Sequence, residues 1–341
     1  MSKYSNLLFS ALLALLTTSC YHEVDLDDFK NNEGKNLLTL NSLICPDSVI
    51  AVSATRPYFF SDKHNERTYI KGLNILLSIN GQECETLTYN ESRHLYLSTI
   101  KPKQGDIVKV STVFNDKLVE AYDTIPYRVS LLDIDVKRRG PLAIYTDRDF
   151  VFTYSITFDD PTNETNYYFL QWNEVDAQRD VMMGERDFTH ELVFQALAND
   201  IHETLPGWKP YCAYGLPFSD RGINGQRHTL VLEETVQADR YSGGWRKPEM
   251  KRNFKLYAIS KQYYQYLVSV LVNQTDDRGL QGGMIDLGIA DPIKIYSNIS
   301  GGIGILAGYT ISQKTINVFD SVGEIPVSYT HLRAHETTLH L

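Results

Sequence analysis

Between residues 37 and 126 the chain repeats one local device: a short run of alternating apolar and polar residues, then a turn. LNILLSI (Leu73–Ile79) meets Asn80-Gly81 and continues as ECETLTY (Glu83–Tyr89). Asn and Gly both tolerate positive φ, so Asn-Gly between two β-prone runs is the strongest short-range hairpin signal. IVKVSTVF (Ile107–Phe114) turns likewise at Asn115-Asp116 into LVEAYDT (Leu118–Thr124), and LLTLNSLI (Leu37–Ile44) leads through Pro46-Asp47 into VIAVSAT (Val49–Thr55). A two-residue period sends successive side chains to opposite faces, so each run buries one face. About seven such strands, punctuated by turns and closed by Pro126, predict an immunoglobulin-like β-sandwich over residues 36–126.

Residues 127–325 predict a second β-rich domain with at least one helix. FVFTYSITF (Phe150–Phe158) alternates until Asp159-Asp160-Pro161 breaks it; NYYFLQW (Asn166–Trp172), His228–Glu233 and Asn253–Ala258 are further strands. RDFTHELVFQALANDI (Arg186–Ile201) fits strand and helix equally. Ser260 is placed to cap a helix over Lys261–Asn273, where Tyr263, Leu267, Val270 and Leu271 share one face. That face reads as core packing. IKIYSNISGGIGILAGY (Ile293–Tyr309) is β-like, and its Gly302, Gly304 and Gly308 do not match a dinucleotide loop. They read as a tight turn with close backbone packing.

The N-terminus carries Lys3 and then LLFSALLALL (Leu7–Leu16), the length of a signal-peptide core and short for a membrane span. Thr17-Thr18-Ser19-Cys20 follows it. Small residues before a cysteine resemble a bacterial lipobox, which predicts a signal peptide over 1–19, acylation at Cys20 and stable anchoring without a transmembrane helix. Residues 20–35 hold Glu23, Asp25, Asp27 and Asp28 with no core pattern, and read as an acidic tether. An exported chain permits disulfides. Cys45, Cys84 and Cys212 are odd in number and fit no zinc spacing, so a Cys45–Cys84 pair and free thiols both stay open.

Net charge is −9 with no basic stripe, which argues against nucleic acid as a partner. No G-x-S-x-G elbow is present. His94, His190, His202 and His228 are scattered, and no cofactor or metal is expected. Asp159-Asp160 and Glu233-Glu234 are adjacent pairs, whose members point to opposite faces of a strand and make no two-carboxylate site alone. Trp208, Tyr211, Tyr214 and Phe218 flank the polar stretch SDRGINGQ with Asn224, and are the candidate binding surface, suited to a glycan or peptide.

FDDPTNETNYY (Phe158–Tyr168), FSDRGINGQ (Phe218–Gln226), LYAISKQYYQYL (Leu256–Leu267) and DPIKIYSNISGGIGILAGY (Asp291–Tyr309) together resemble the domain-of-unknown-function 4249 family of outer-membrane lipoproteins. LLTLNSLICPDSVIAVSAT (Leu37–Thr55) and GDIVKVSTVFNDKLVEAYDTIP (Gly105–Pro126) fit the same pattern. The resemblance implies a lipid-anchored outer-membrane location, outward or periplasmic, and a non-enzymatic accessory role beside a TonB-dependent transporter; it supplies no catalytic residues. The alternative expectation is an envelope hydrolase acting on glycan or peptide, with a site assembled from distant residues. Asp47-Ser48-Val49, Asp123-Thr124-Ile125 and Asp320-Ser321-Val322 are similar to an O-glycosylation signal and equally to plain turn chemistry.

The last residues, HLRAHETTLHL, hold His331, His335, Glu336 and His340. A zinc-protease helix needs histidines at i and i+4 with a glutamate after the first. His335 and His340 are five apart, and Leu332 follows His331. Residues 326–341 instead resemble a translated sequencing adapter and are expected to be a non-native tail.

Overall fold

The computed structural model describes residues 37–57, 68–139, 149–162, 164–175, 180–181, 185–187, 191–200, 215–237, 251–276 and 294–318. Among them the fold is mainly β, with several sheets and two helices. The first region supplies β1 (Thr39–Ile44), β2 (Ala51–Thr55), β3 (Leu76–Ile79), β4 (Gln82–Thr86), β5 (Thr88–Asn90), β6 (Leu95–Leu97), β7 (Ile107–Phe114) and β8 (Lys117–Thr124). The second supplies β9 (Leu131–Arg139), β10 (Asp149–Asp159), β11 (Tyr167–Val175), β12 (Asp180–Val181), β13 (Glu185–Asp187), α1 (Leu192–Asp200), β14 (Leu216–Ser219), β15 (Arg227–Gln237), β16 (Lys251–Ile259), α2 (Lys261–Asp276) and β17 (Ile303–Asn317).

The turn chemistry read from the sequence is realised. Asn80 and Gly81 take φ of 53° and 80°, and Asn115 and Asp116 take 49° and 59°, the left-handed values that a two-residue hairpin turn needs. Other expectations are corrected. ECETLTY does not form one strand: Leu87 turns inward, is buried and separates β4 from β5, which lie in different sheets. Within the stretch that fits strand and helix equally, Arg186 and Asp187 end β13 and Leu192–Asp200 form α1, and the strand expected from Ile293 begins only at Ile303. Strands β6 and β9 were not anticipated, one because it is three residues long and the other because charges alternate along it. Cys45 and Cys84 are both free, the first buried and the second exposed.

One long sheet runs β12-β11-β16-β17-β1-β2-β6-β5, with β14 also paired to β11. Two four-stranded sheets, β4-β3-β7-β8 and β13-β15-β10-β9, complete the set. One core packs Leu38, Leu40 and Val52 of the long sheet's first-region half with Leu77, Val108, Val110 and Val119. The other packs Leu170, Trp172, Phe254 and Leu256 with Phe152, Tyr154, Ile156, Leu230 and Leu232. Inside it Arg252 donates to Glu234 at 3.2 Å, and the Tyr154 hydroxyl donates to the same carboxylate at 2.7 Å. Burying a charge is costly unless it is paired in this way.

Strand β17 joins the two halves. It runs antiparallel to β16 and parallel to β1, in register from Thr39↔Ile303 to Ile44↔Gly308. A Cβ on Gly304 would lie 2.0 Å from the Leu40 carbonyl oxygen, and one on Gly308 would lie 2.3 Å from that of Thr124. Both neighbours are backbone, which cannot swing aside as a side-chain tip can. Glycine therefore allows the close packing expected of this stretch.

Asp123, on β8, is 1% exposed. Its carboxylate accepts the Gly308 N–H of β17 at 2.7 Å, the Thr124 N–H at 2.9 Å and the Ser260 hydroxyl. Ser260 in turn caps α2 by accepting the Tyr263 N–H at 3.1 Å. Burial pushes the Asp123 carboxyl up to about 6, against the lowering effect of its three donors.

Two outcomes follow. Gly304→Ala should lower unfolding stability by at least about 1–3 kcal/mol in denaturant titration, because it overpacks a backbone contact. For Asp123, a carboxyl raised above its unfolded value near 4 binds its proton more tightly when folded. Its contribution is fully present below about pH 4 and is lost as pH rises through about 6. The stability gap between wild type and Asp123→Asn should therefore narrow from pH 4 to pH 7; a gap that is flat or widens contradicts the assignment.

Candidate functional site

Two loops that carry family-like stretches meet at one end of β11. Asp159-Asp160-Pro161 ends β10, and Ser219-Asp220 ends β14. As expected of neighbours on a strand, Asp159 and Asp160 part. Asp159 is exposed and takes both a 2.7 Å and a 3.0 Å hydrogen bond from Arg227, which holds its carboxyl below the usual carboxylate range. Asp160 is buried and accepts the Gly225 N–H at 2.7 Å and the Tyr168 hydroxyl. Burial raises its carboxyl, and the nearby Asp220 and Glu164 charges add to that, while the two donors oppose it. Burial and the same carboxylate also hold the Tyr168 hydroxyl far above its ordinary range.

Asp220 returns the exchange. It is 3% exposed and accepts the Asn166 N–H at 2.8 Å and the Asn224 side-chain amide at 3.0 Å. Each loop thus contributes one buried carboxylate to a main-chain N–H of the other. Backbone bonds from Asp160 N to Gln226 O and from Asp220 N to Asn166 O, both 3.0 Å, run beside them. Asn224 also reaches back to the Glu164 carbonyl at 3.0 Å. These acids hold loops in place, which explains why the polar run DRGINGQ takes one defined path.

The clamp opens onto a pocket of about 510 Å³ lined by Thr165, Tyr167, Ser219, Asp220, Arg221, Gly222, Asn224, Lys261, Tyr264 and Gln265. Lys261, Tyr264 and Gln265 lie at i, i+3 and i+4 on the first turns of α2, so one helix face forms one wall. Tyr264 packs against Tyr167, ring centroids 4.8 Å apart at 33°. The Ser260 cap sets where that wall begins. The lining offers amide, hydroxyl, guanidinium and ammonium donors beside a tyrosine, a mixture that orients a polar ligand.

Of the expected binding surface, Asn224 lines this pocket. Phe218 does not reach a surface: it is 0% exposed, set against Phe158, Tyr168 and Phe194 in the core. That is a correction, and its cause is that all four residues of β14 turn out to be buried. Trp208, Tyr211 and Tyr214 lie outside the described residues, as do Cys20, Cys212, His190, His202 and the 326–341 tail. His94 stacks on Tyr69 at 4.5 Å, and His228 sits 3.4 Å from Glu191. Among the described residues no group of three His, Cys, Asp or Glu is placed to hold a metal ion. The α2 wall is not legible in the sequence because Tyr264 is shared between wall and core, in line with Leu267 and Leu271, so the polar Lys261 and Gln265 beside it read as an ordinary solvated edge; the Ser-Lys start after a strand is the available signal.

The clamp predicts that Asp160→Ala costs about 1–3 kcal/mol and speeds hydrogen exchange at residues 220–226. Asp159→Ala, at the surface, should leave both unchanged. Equal effects from the two variants would contradict the structural division of this pair.

The family model for the domain of unknown function DUF4249 matches residues 23–315. No curated protein matches the chain. Among solved structures, a protein described as membrane anchored from Corynebacterium diphtheriae aligns at 8% identity over 66% of this chain, with a TM-score of 0.19. The chain spans about half of that protein, 54%, and a likeness this slight bears on neither fold nor function.

Proposed function

This chain belongs to the DUF4249 family, and we propose that it is a lipid-anchored cell-envelope protein that binds a polar ligand or partner without turning it over. The observation that carries this reading is the use made of the carboxylates around the pocket. Asp160 and Asp220 are buried and engaged by main-chain N–H groups, so they act as loop clamps. What the lining presents to a ligand is chiefly donors and a ring: Arg221, Lys261, Gln265 and Tyr167. Such a surface recognises glycan hydroxyls or peptide carbonyls through hydrogen bonds and ring contact.

The anchor is read from the short apolar run and Cys20. No helix among the described residues is long and apolar enough to cross a membrane. An outer-membrane site beside a TonB-dependent transporter is the partner reading that the family resemblance implies. The strand orders β1-β2-β6-β5 and β4-β3-β7-β8 support the immunoglobulin-like reading of the first region, since they follow the ABED and CFG pattern with one added strand. Sandwiches of this kind commonly serve as spacers and binding modules.

Lysine-reactive cross-linking in intact membranes, followed by mass spectrometry, tests the binding role. A partner joined through Lys261 is expected, and Arg221→Ala with Gln265→Ala should cut its recovery by about tenfold or more. Recovery unchanged in the double variant would sink the pocket. Cys20→Ser should release the chain from the membrane fraction, and unchanged retention would sink the anchor.

A further inference from the structure

The β7–β8 hairpin ends in an apolar tip beside the point where the tether joins the fold. Val113 and Leu118 pair across the hairpin and are 63% and 56% exposed. The turn between them, Asn115-Asp116 followed by Lys117, carries one acid and one base. Strand β8 runs alongside β17. A Cβ on Gly301 would lie 2.1 Å from the Leu118 carbonyl oxygen, and one on Gly308 would meet that of Thr124. Strand β1 is parallel to β17 and starts level with Ile303, at Thr39. Leu118 therefore sits at the same end as the start of β1, slightly beyond it, and residues 115–117 project further. Ile303, 36% exposed, lies on the same end.

Residues 21–36 separate Cys20 from this end. A tether of sixteen residues has a root-mean-square span of only about 20–25 Å, less than the roughly 27 Å of an eight-residue strand, so an anchor at Cys20 holds this end, more than the opposite one, near the lipid. We propose that the tip formed by Val113, Leu118 and Ile303 docks on the bilayer surface and fixes the orientation of the anchored protein. The inference rests on the anchor reading above. The tip carries no net charge, so its partner is a zwitterionic lipid surface rather than an anionic one. Branched aliphatic side chains on a projecting hairpin can insert without opening the core, because the inward-facing Val119 and Val110 remain packed.

The test uses hydrogen–deuterium exchange of the chain from Cys20 onward, on phosphatidylcholine vesicles and free in solution. Coupling Cys20 of a Cys84→Ser, Cys212→Ser chain to a maleimide lipid supplies the anchor whether or not the cell acylates it, so failure of natural lipidation is read separately. On vesicles, peptides covering 112–119 should exchange at least about fivefold more slowly, while the Asn80-Gly81 turn, at the opposite end of the same sheet, is unchanged. Val113→Ser with Leu118→Ser should abolish the slowing and leave vesicle retention intact. No slowing at 112–119 in the coupled chain overturns the proposal, as does protection centred on residues 79–82 and 122–127, which would turn the other end towards the lipid.

Discussion

One buried carboxylate sits where the two halves of the molecule meet. Asp123 lies near the end of the last strand of the first region, yet its acceptors are used by the Gly308 N–H of the final strand and by the serine that caps α2. A low-dielectric site makes each of these hydrogen bonds strong and makes an unmet one expensive. The three elements therefore take up their positions together. Gly304 and Gly308 let β17 come close enough for this, since any side chain at either place would strike backbone. The consequence reaches the pocket: Ser260 both binds Asp123 and starts the helix whose first turns carry Lys261, Tyr264 and Gln265.

What could be read from the sequence follows from how local each signal is. Asn80-Gly81 and Asn115-Asp116 encode their hairpins in two residues, and β7 and β16 announce themselves by strict alternation. Ser260 announced α2 because an N-cap is also a local device. The pairing of β1 with β17 was not legible, because it joins residues some 264 positions apart through a parallel register that no short pattern encodes. Leu87 was lost inside an apparently continuous run, since a kink that sends a chain from one sheet to another leaves the alternation almost intact. Of the pocket, Asn224 was visible as a polar turn residue. Phe218 looked the same as any exposed aromatic, because sequence gives no sign that both faces of a four-residue strand are covered.

The acids divide along similar lines. Adjacent carboxylates on a strand end part to opposite faces, so Asp159 faces solvent with Arg227 while Asp160 turns inward to clamp a loop. Glu233 and Glu234 do the same, and only Glu234 enters the core, to meet Arg252. The family-like stretches are thus rich in polar residues for structural reasons, and the pocket is what their folding leaves open. Its helical wall begins beside Gly308, whereas the hairpin tip lies level with Gly301. Along β17 these are about 20 Å apart. A chain docked by the tip therefore presents the pocket away from the lipid.

The claim on which the rest stands is that β17 and Asp123 make one cooperative unit of both regions. Differential scanning calorimetry of the chain at pH 5 tests it directly. A single transition is expected, with calorimetric and van't Hoff enthalpies that agree. Two resolved transitions, one surviving in the isolated range 36–126, would show that the regions fold independently and would contradict it.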